Sequence, residues 1–206
     1  MIIAVDGPTA SGKGTIAKAL AAHFGLPHLD TGLLYRAVGR QCFLDGGNPD
    51  TPADALAATS FPDGLLLDPE LRSEASGGLA SRVSVHHDVR EALFERQRSF
   101  ATQPGGAVLD GRDIGTVIAP DADVKLFVTA SVEARAQRRF REMQGQGRAV
   151  TLGEITADLA RRDERDRTRT EAPLRAAADA VVLDNSELGP EEAVARALAL
   201  VEARLR

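Results

Sequence analysis

The stretch that most limits what this chain can fold into is residues 2 to 15, Ile-Ile-Ala-Val-Asp-Gly-Pro-Thr-Ala-Ser-Gly-Lys-Gly-Thr. Ile2, Ile3 and Val5 form a short β-branched run that reads as a buried strand. The run stops at Gly7, where a loop carrying Gly7, Gly12 and Gly14 opens. From Lys13 to about Phe24, good helix formers put Ile16, Ala17, Leu20, Ala21 and Phe24 on one face at three- and four-residue spacing. The loop matches G-x-x-x-x-G-K, with Gly7, Gly12 and Lys13 in the fixed positions. Glycines there let successive N–H groups turn inward around an anion, and the following helix aims its positive dipole end at the same point. Lys13 adds a mobile ammonium for outer phosphates, and it is one of only three lysines among 25 Lys and Arg. An ordinary turn would need the glycines for geometry alone, but it leaves the lysine and the two matching flanks unexplained.

The rest of the chain sets the context for that loop. Its 206 residues suffice for one domain with a full core, and hydrophobic content of 43% with 27% charged residues is that of a globular protein. A formal net charge of −5 argues against general nucleic-acid binding, which needs a basic surface to release counterions. Cys42 stands alone, so no intrachain disulfide forms. No apolar run approaches 18 residues, and the N-terminus enters a strand without a leader pattern. The expectation is a cytoplasmic protein without membrane or nucleic-acid partners.

After the first helix, residues 25 to 30 predict a turn and a short strand ending at Asp30, followed by a helix from Thr31 with Leu34, Val38 and Cys42 on its apolar side. Residues 51 to 58 predict a further helical piece. Periodicity fails from Ser60 to Gly78, where Pro62, Gly64, Pro69, Gly77 and Gly78 interrupt it, and a surface excursion is expected. A helix over about residues 88 to 101 has Asp88 as its expected N-cap and Val89, Leu93 and Phe100 as core residues. Further strands are expected at 107 to 109, 124 to 128 and 180 to 183, and further helices at 131 to 144 and 151 to 167. Pro190 opens a closing helix with Val194, Leu198, Val201 and Leu205 on one side. This alternation predicts an α/β fold, a five-stranded parallel sheet with helices on both faces. One domain spans 1 to 206: a core of 1 to 59, 81 to 134 and 170 to 206, an excursion of about 60 to 80, and an arginine-rich lid of about 135 to 169.

Ligands of such sheets sit beyond the carboxyl ends of the strands. The segments leaving those ends are Gly7 to Thr15, Asp30 to Arg36, Asp110 to Thr116 and Thr129 onward, and they are expected to converge on one cleft. In Asp30-Thr-Gly-Leu-Leu-Tyr-Arg36 a hydroxyl at a helix start and a nearby guanidinium suit a phosphate dianion, although helix capping and a solvated arginine account for the same residues. Asp110-Gly-Arg112-Asp113 offers a cation and a carboxylate to two parts of one ligand, or an ordinary turn with a local ion pair. Arg162, Asp166 and Arg169 fall at i, i+4 and i+7 on one helical face, a pattern equally compatible with a solvated helix laced by ion pairs. Ten arginines nevertheless lie between Arg135 and Arg169, and excess guanidinium is what transfer of a highly charged phosphoryl group needs. His86 and His87 read as helix-end surface residues, and no His or Cys spacing suggests a metal site.

Taken in order, the stretches Gly-Pro-Thr-Ala-Ser-Gly-Lys-Gly-Thr, Asp-Thr-Gly-Leu-Leu-Tyr-Arg, Val-Arg-Glu-Ala-Leu-Phe-Glu-Arg-Gln-Arg, Asp-Gly-Arg-Asp-Ile-Gly-Thr and Arg-Arg-Asp-Glu-Arg-Asp-Arg-Thr-Arg resemble the bacterial cytidylate kinases along nearly the whole chain. The placing of Gly14 between Lys13 and Thr15 is also more similar to nucleoside monophosphate kinases than to switch GTPases. The resemblance implies transfer of the ATP γ-phosphoryl group, with Mg²⁺, to CMP or dCMP. It implies that Gly7, Pro8, Thr9, Ala10, Ser11, Gly12, Lys13, Gly14 and Thr15 hold ATP, with Arg138 and Arg139 near a mobile lid that turns at Gly145 and Gly147. It assigns the CMP phosphate to Thr31, Arg36, Arg112 and Arg169, the cytosine to Ser81, Arg90 and Asp113, and the sugar to Arg162 and Asp166. Lys13, Arg112 and Arg169 are the expected catalytic residues, in a protein expected to be monomeric. Residues 60 to 80 are too short for the small sheet that many members insert there, although Leu71-Arg72 and Ser81 still align. A different small-acceptor kinase on the same scaffold, or a nucleotide-switch module, remains compatible with the loop alone, but the guanine-reading Asn-Lys-x-Asp is absent.

Overall fold

The computed structural model describes residues 1–206. Five strands, β1 (Ile2–Asp6), β2 (His28–Asp30), β3 (Ala107–Gly111), β4 (Val124–Thr129) and β5 (Val181–Asp184), form one parallel sheet in the order β2-β3-β1-β4-β5. The helices are α1 (Lys13–Phe24), α2 (Thr31–Leu44), α3 (Pro52–Ala57), α4 (Glu74–Val83), α5 (His87–Ala101), α6 (Val132–Gly145), α7 (Leu152–Thr168) and α8 (Pro190–Leu205). The parallel α/β architecture is the one expected. Each strand after β1 is reached through a helix or a long connection, as parallel pairing requires.

The sheet is covered on both faces. Ile3, Val5, Val108, Leu126 and Val128 pack against Ile16 and Leu20 of α1 and Ala193, Ala197 and Val201 of α8. Ala4 and Leu109 point the other way, toward Ala101, Ile114 and Ile118. The expected face of α8 is therefore rotated: Ala193 and Ala197 are buried and Val194 and Leu198 flank them, while Leu205 is exposed. Small side chains win the central positions because they let α8 lie close to the sheet and α1. A separate cluster joins α2, α3 and α5 through Leu34, Val38, Cys42, Ala55, Val89 and Leu93. Helices α6 and α7 share a small core of their own, Ala136, Met143, Ile155 and Leu159, and turn through Gly147 in the left-handed region.

One local expectation is overturned. Asp88 is not a cap: α5 starts one residue earlier, after His86, whose ring meets the Pro49 carbonyl at 2.9 Å. The excursion is ordered as short helical turns followed by α4, with Leu71 buried and α4 packed along α2. Ser73 caps α4 by accepting from the Ser76 N–H. Two glycines serve this packing, Gly39 of α2 and Gly77, one of those that break the sequence periodicity. A Cβ at Gly39 of α2 would fall 2.6 Å from Leu79 Cβ, and one at Gly77 would fall 2.9 Å from an Arg162 nitrogen and 3.2 Å from one of Arg36.

Candidate functional site

The site is built where β1, β2 and β3 end. Beyond β1 the loop turns through Ala10 and Gly12, both in the left-handed region, before Lys13 opens α1. Gly7 has a different reason to be glycine, since a Cβ there would meet the Val128 carbonyl oxygen at 2.1 Å. Asp6 ends β1 by accepting from the amides of Ile114 and Gly115, each at 2.8 Å. Those two bonds fasten the π-helical turn Ile114–Ile118, and so the preceding Arg112 and Asp113, to the strand that carries the loop. Burial pushes Asp6 up to about 7 despite both donors.

A cleft of about 230 Å³ opens between this loop, α2, α4 and α7. It is lined by Thr31, Arg36, Ser81, Arg90, Arg112, Asp113, Arg162, Asp166 and Arg169, the full set predicted for the acceptor, together with loop residues Thr9 to Gly14. The face of α7 explains the selection: Arg162, Asp166 and Arg169 turn inward and are buried, while Arg161 and Thr168 are exposed. Thr31 starts α2 and spends its hydroxyl on the Asp110 carbonyl at 2.9 Å. Arg36 donates to the carbonyls of Leu71 and Ser73 at 2.7 and 3.0 Å, and burial lowers its pKa to about 10. Arg112 spans Asp166 and the Thr9 hydroxyl, each at 2.6 Å. At the far end, Asp113 lies 3.7 Å from Arg169 and pairs with Arg90, whose guanidinium stacks over the Tyr35 ring at 5.5 Å. Ser81 accepts from Arg165 at 2.7 Å.

Lys13 faces Arg112 across the cleft, and burial together with that neighbouring cation lowers its pKa to about 8, against the pull of Asp110 and Asp30. Four buried side-chain atoms of the protein have no hydrogen-bond partner, and three of them, Ser11 Oγ, Arg162 Nε and Arg169 Nη2, belong to residues of this cleft. Arg162 Nε lies 2.9 Å from Asp158 without the alignment of a hydrogen bond. Donors left unpaired at depth are costly, so their gathering here marks a surface shaped for an acceptor-rich ligand.

On the other side of the loop a second cleft, of about 530 Å³, is lined by Thr15, Arg138, Arg139 and Asn185 and by Leu188 to Pro190. Ala10 and Gly12 line both clefts. Gly7 and Pro8 line neither; both are buried beneath the loop. Arg138 and Arg139 part company. Arg138 is fixed to the loop after β5, donating to Asn185 Oδ1 at 3.0 Å and to the carbonyls of Asn185, Ser186 and Leu188. Arg139 instead pairs with Glu74 at the start of α4, which also holds Arg162 at 3.2 Å and so ties α6 and α7 to the excursion. Residues 184 to 189 fall outside the sequence-derived set although they leave the carboxyl end of β5, the signal that applies to the other strands.

Residues 3–203 match a family model described as cytidylate kinase. The chain belongs to the cytidylate kinase family. It is thus a nucleoside monophosphate kinase, a phosphotransferase. A cytidylate kinase of Xanthobacter autotrophicus is 57% identical over 205 residues, covering 99% of this chain and 98% of the relative. One of Azorhizobium caulinodans is 57% identical over 203 residues, covering 98% of each. Among solved structures, an uncharacterised protein from Eubacterium ventriosum aligns over 98% of this kinase and 99% of its own chain with a TM-score of 0.59 and 15% identity, a likeness of fold alone.

Proposed function

We propose that this kinase transfers the γ-phosphoryl group of ATP, with Mg²⁺, to CMP or dCMP, giving ADP and CDP or dCDP. The observation that carries the reading is the gathering of Arg36, Arg112, Arg162 and Arg169 on one cleft, with unpaired buried donors on Arg162 and Arg169, beside the Asp113 carboxylate that lies between Arg90 and Arg169. A phosphate dianion suits the first, and the exocyclic amine at cytosine N4 suits the second, because a carboxylate accepts from that amine and repels the oxygen of uracil. In this reading Arg36, Arg112 and Arg169 hold the CMP phosphate, Arg162 and Asp166 the sugar, and Ser81, Arg90 and Asp113 the base. The second cleft takes the donor, with the loop amides and Lys13 on its phosphates.

The chemistry then needs alignment and charge, not a proton acceptor. An oxygen of the CMP phosphate, already anionic at neutral pH, bonds to the γ-phosphorus as the bond to the β,γ-bridging oxygen breaks, and ADP leaves. Lys13 and Arg112, which both line the first cleft beside the loop, balance the charge on the moving group. Arg139 and Arg162 can follow, since Glu74 holds both and a phosphate competes for the same guanidiniums. The hard oxygens beside the loop, the Thr15 hydroxyl and the Asp110 carboxylate, are the donor type magnesium takes, and the ion, bound with ATP, would offset charge on the phosphate oxygens. The test is ADP release with ATP and each of CMP, dCMP, UMP, AMP and shikimate. Turnover confined to the cytidine nucleotides is expected, and preference for another acceptor, or none with any, overturns the reading.

A further inference from the structure

We propose that Asn185 is a positioning residue for the phosphoryl donor, acting through the Ser11–Gly12 peptide of the loop and through Arg138. The inference rests on reading the second cleft as the donor side. Asn185 follows β5 directly and is buried. Its side-chain Nδ2 donates to the Ser11 carbonyl at 2.8 Å, and its Oδ1 accepts from Arg138 at 3.0 Å. Its own N–H donates to the Thr129 carbonyl at the end of β4 at 2.9 Å, and its carbonyl accepts from the Leu188 N–H at 3.1 Å and from Arg138. One carboxamide thus joins the loop, α6 and the wall of the second cleft, with all its bonds directed inward.

The link to Ser11 has a consequence for anion binding. In a trans peptide the C=O of one residue and the N–H of the next point in opposite directions. Drawing the Ser11 carbonyl toward Asn185 therefore turns the Gly12 N–H away from it, the orientation a cradle of amides requires. Ser11 lies between Ala10 and Gly12, both in the left-handed region, so this is the part of the loop whose shape owes least to local preference and most to an outside hold. A Cβ at Gly12 would stand 3.3 Å from Nδ2, so the carboxamide lies against the loop backbone itself. On the other side, Arg138 has Asn185 as partner for both of its terminal nitrogens, and its Nη2 donates further to the carbonyls of Ser186 and Leu188, the latter on the wall of the second cleft. Only a side chain that both donates and accepts satisfies Ser11 and Arg138 together.

The experiment compares wild type with Asn185→Ala and Asn185→Asp. Rates are measured against ATP at saturating CMP and against CMP at saturating ATP, binding of a non-hydrolysable ATP analogue is followed by calorimetry, and folding by thermal melting. For Asn185→Ala, the KM for ATP and the analogue Kd are expected to rise about tenfold, the size of one or two lost hydrogen bonds, with the KM for CMP within about twofold. Asn185→Asp keeps the partner of Arg138 but presents only acceptors to the Ser11 carbonyl, so donor binding should weaken at least as much. It is nearly isosteric and decides the matter if the alanine variant does not fold. Donor KM and analogue Kd at wild-type values in a cooperatively melting variant, or equal losses for both nucleotides, overturn the proposal. A wild type inactive on CMP would strike the functional reading instead, and the calorimetric arm would still judge Asn185.

Discussion

Lys13 stands at the meeting of two demands. It has to be charged when phosphate arrives, yet it is shut in beside Arg112, and its pKa of about 8 is the outcome. Since the ordinary value is higher, the unfolded chain holds more protons than the folded protein between about pH 8 and 10.5, and this group's contribution to stability rises with pH in that window. ATP phosphates reverse the shift. Binding near pH 8 should take up a fraction of a proton, seen as a dependence of the calorimetric enthalpy on buffer ionisation, and kcat/KM for ATP should fall above pH 8. Replacement by alanine should lower turnover by on the order of 10³ while the protein still folds and melts cooperatively, by analogy with a lost charge-stabilising donor. Asp113 has a different task. The substitution Asp113→Asn would turn a carboxamide toward the cytosine amine and release Arg90 from its ion pair, so the ratio of kcat/KM for CMP to that for UMP should fall about tenfold or more. An unchanged ratio would take base discrimination away from this residue.

At the scale of elements, α4 is where packing overrules propensity. Alanine at position 77 should favour the helix by about 1 kcal/mol, but its Cβ would crowd Arg162 and Arg36. Gly77→Ala is therefore expected to hold or raise the melting temperature while raising the KM for CMP several-fold, a split that titration and melting on one preparation will reveal. The same physics explains what could be read from the residues alone. Strands β1 and β3 and helices α1 and α2 are announced by their apolar pattern, and the cleft residues by the strand ends and the i, i+4, i+7 face of α7. Residues 74 to 83 are not, because Ser-Gly-Gly-Leu-Ala-Ser is a poor helix by itself and becomes one against α2. Nor is the turn at Ile114–Ile118, whose shape depends on a carboxylate more than a hundred residues away. Asn185 carries no motif, and its importance comes from three partners that meet only in the folded chain.

For the molecule as a whole, the sheet order places β1 in the middle, so its loop stands between two clefts that share Ala10 and Gly12. One ligand reaching into both would meet its second half already at high effective concentration. Adenosine and cytidine joined through five phosphates should bind at least about 10²-fold tighter than ATP and raise the melting temperature more than either nucleotide alone. Binding no tighter than ATP would mean that the two clefts do not open on a common line. Most guanidinium bonds of this region go to groups of the protein itself, Arg36 to carbonyls, Arg112 to Asp166, Arg139 and Arg162 to Glu74, while Arg162 Nε and Arg169 Nη2 stay unpaired. An arriving anion finds two free donors and must trade places with carboxylates and carbonyls for the rest. Chloride or sulfate, with few contacts to offer, gains little from such a trade, and the enzyme should work steadily amid the salts of a cell, yielding its arginines only to a molecule that displaces several of their companions at once.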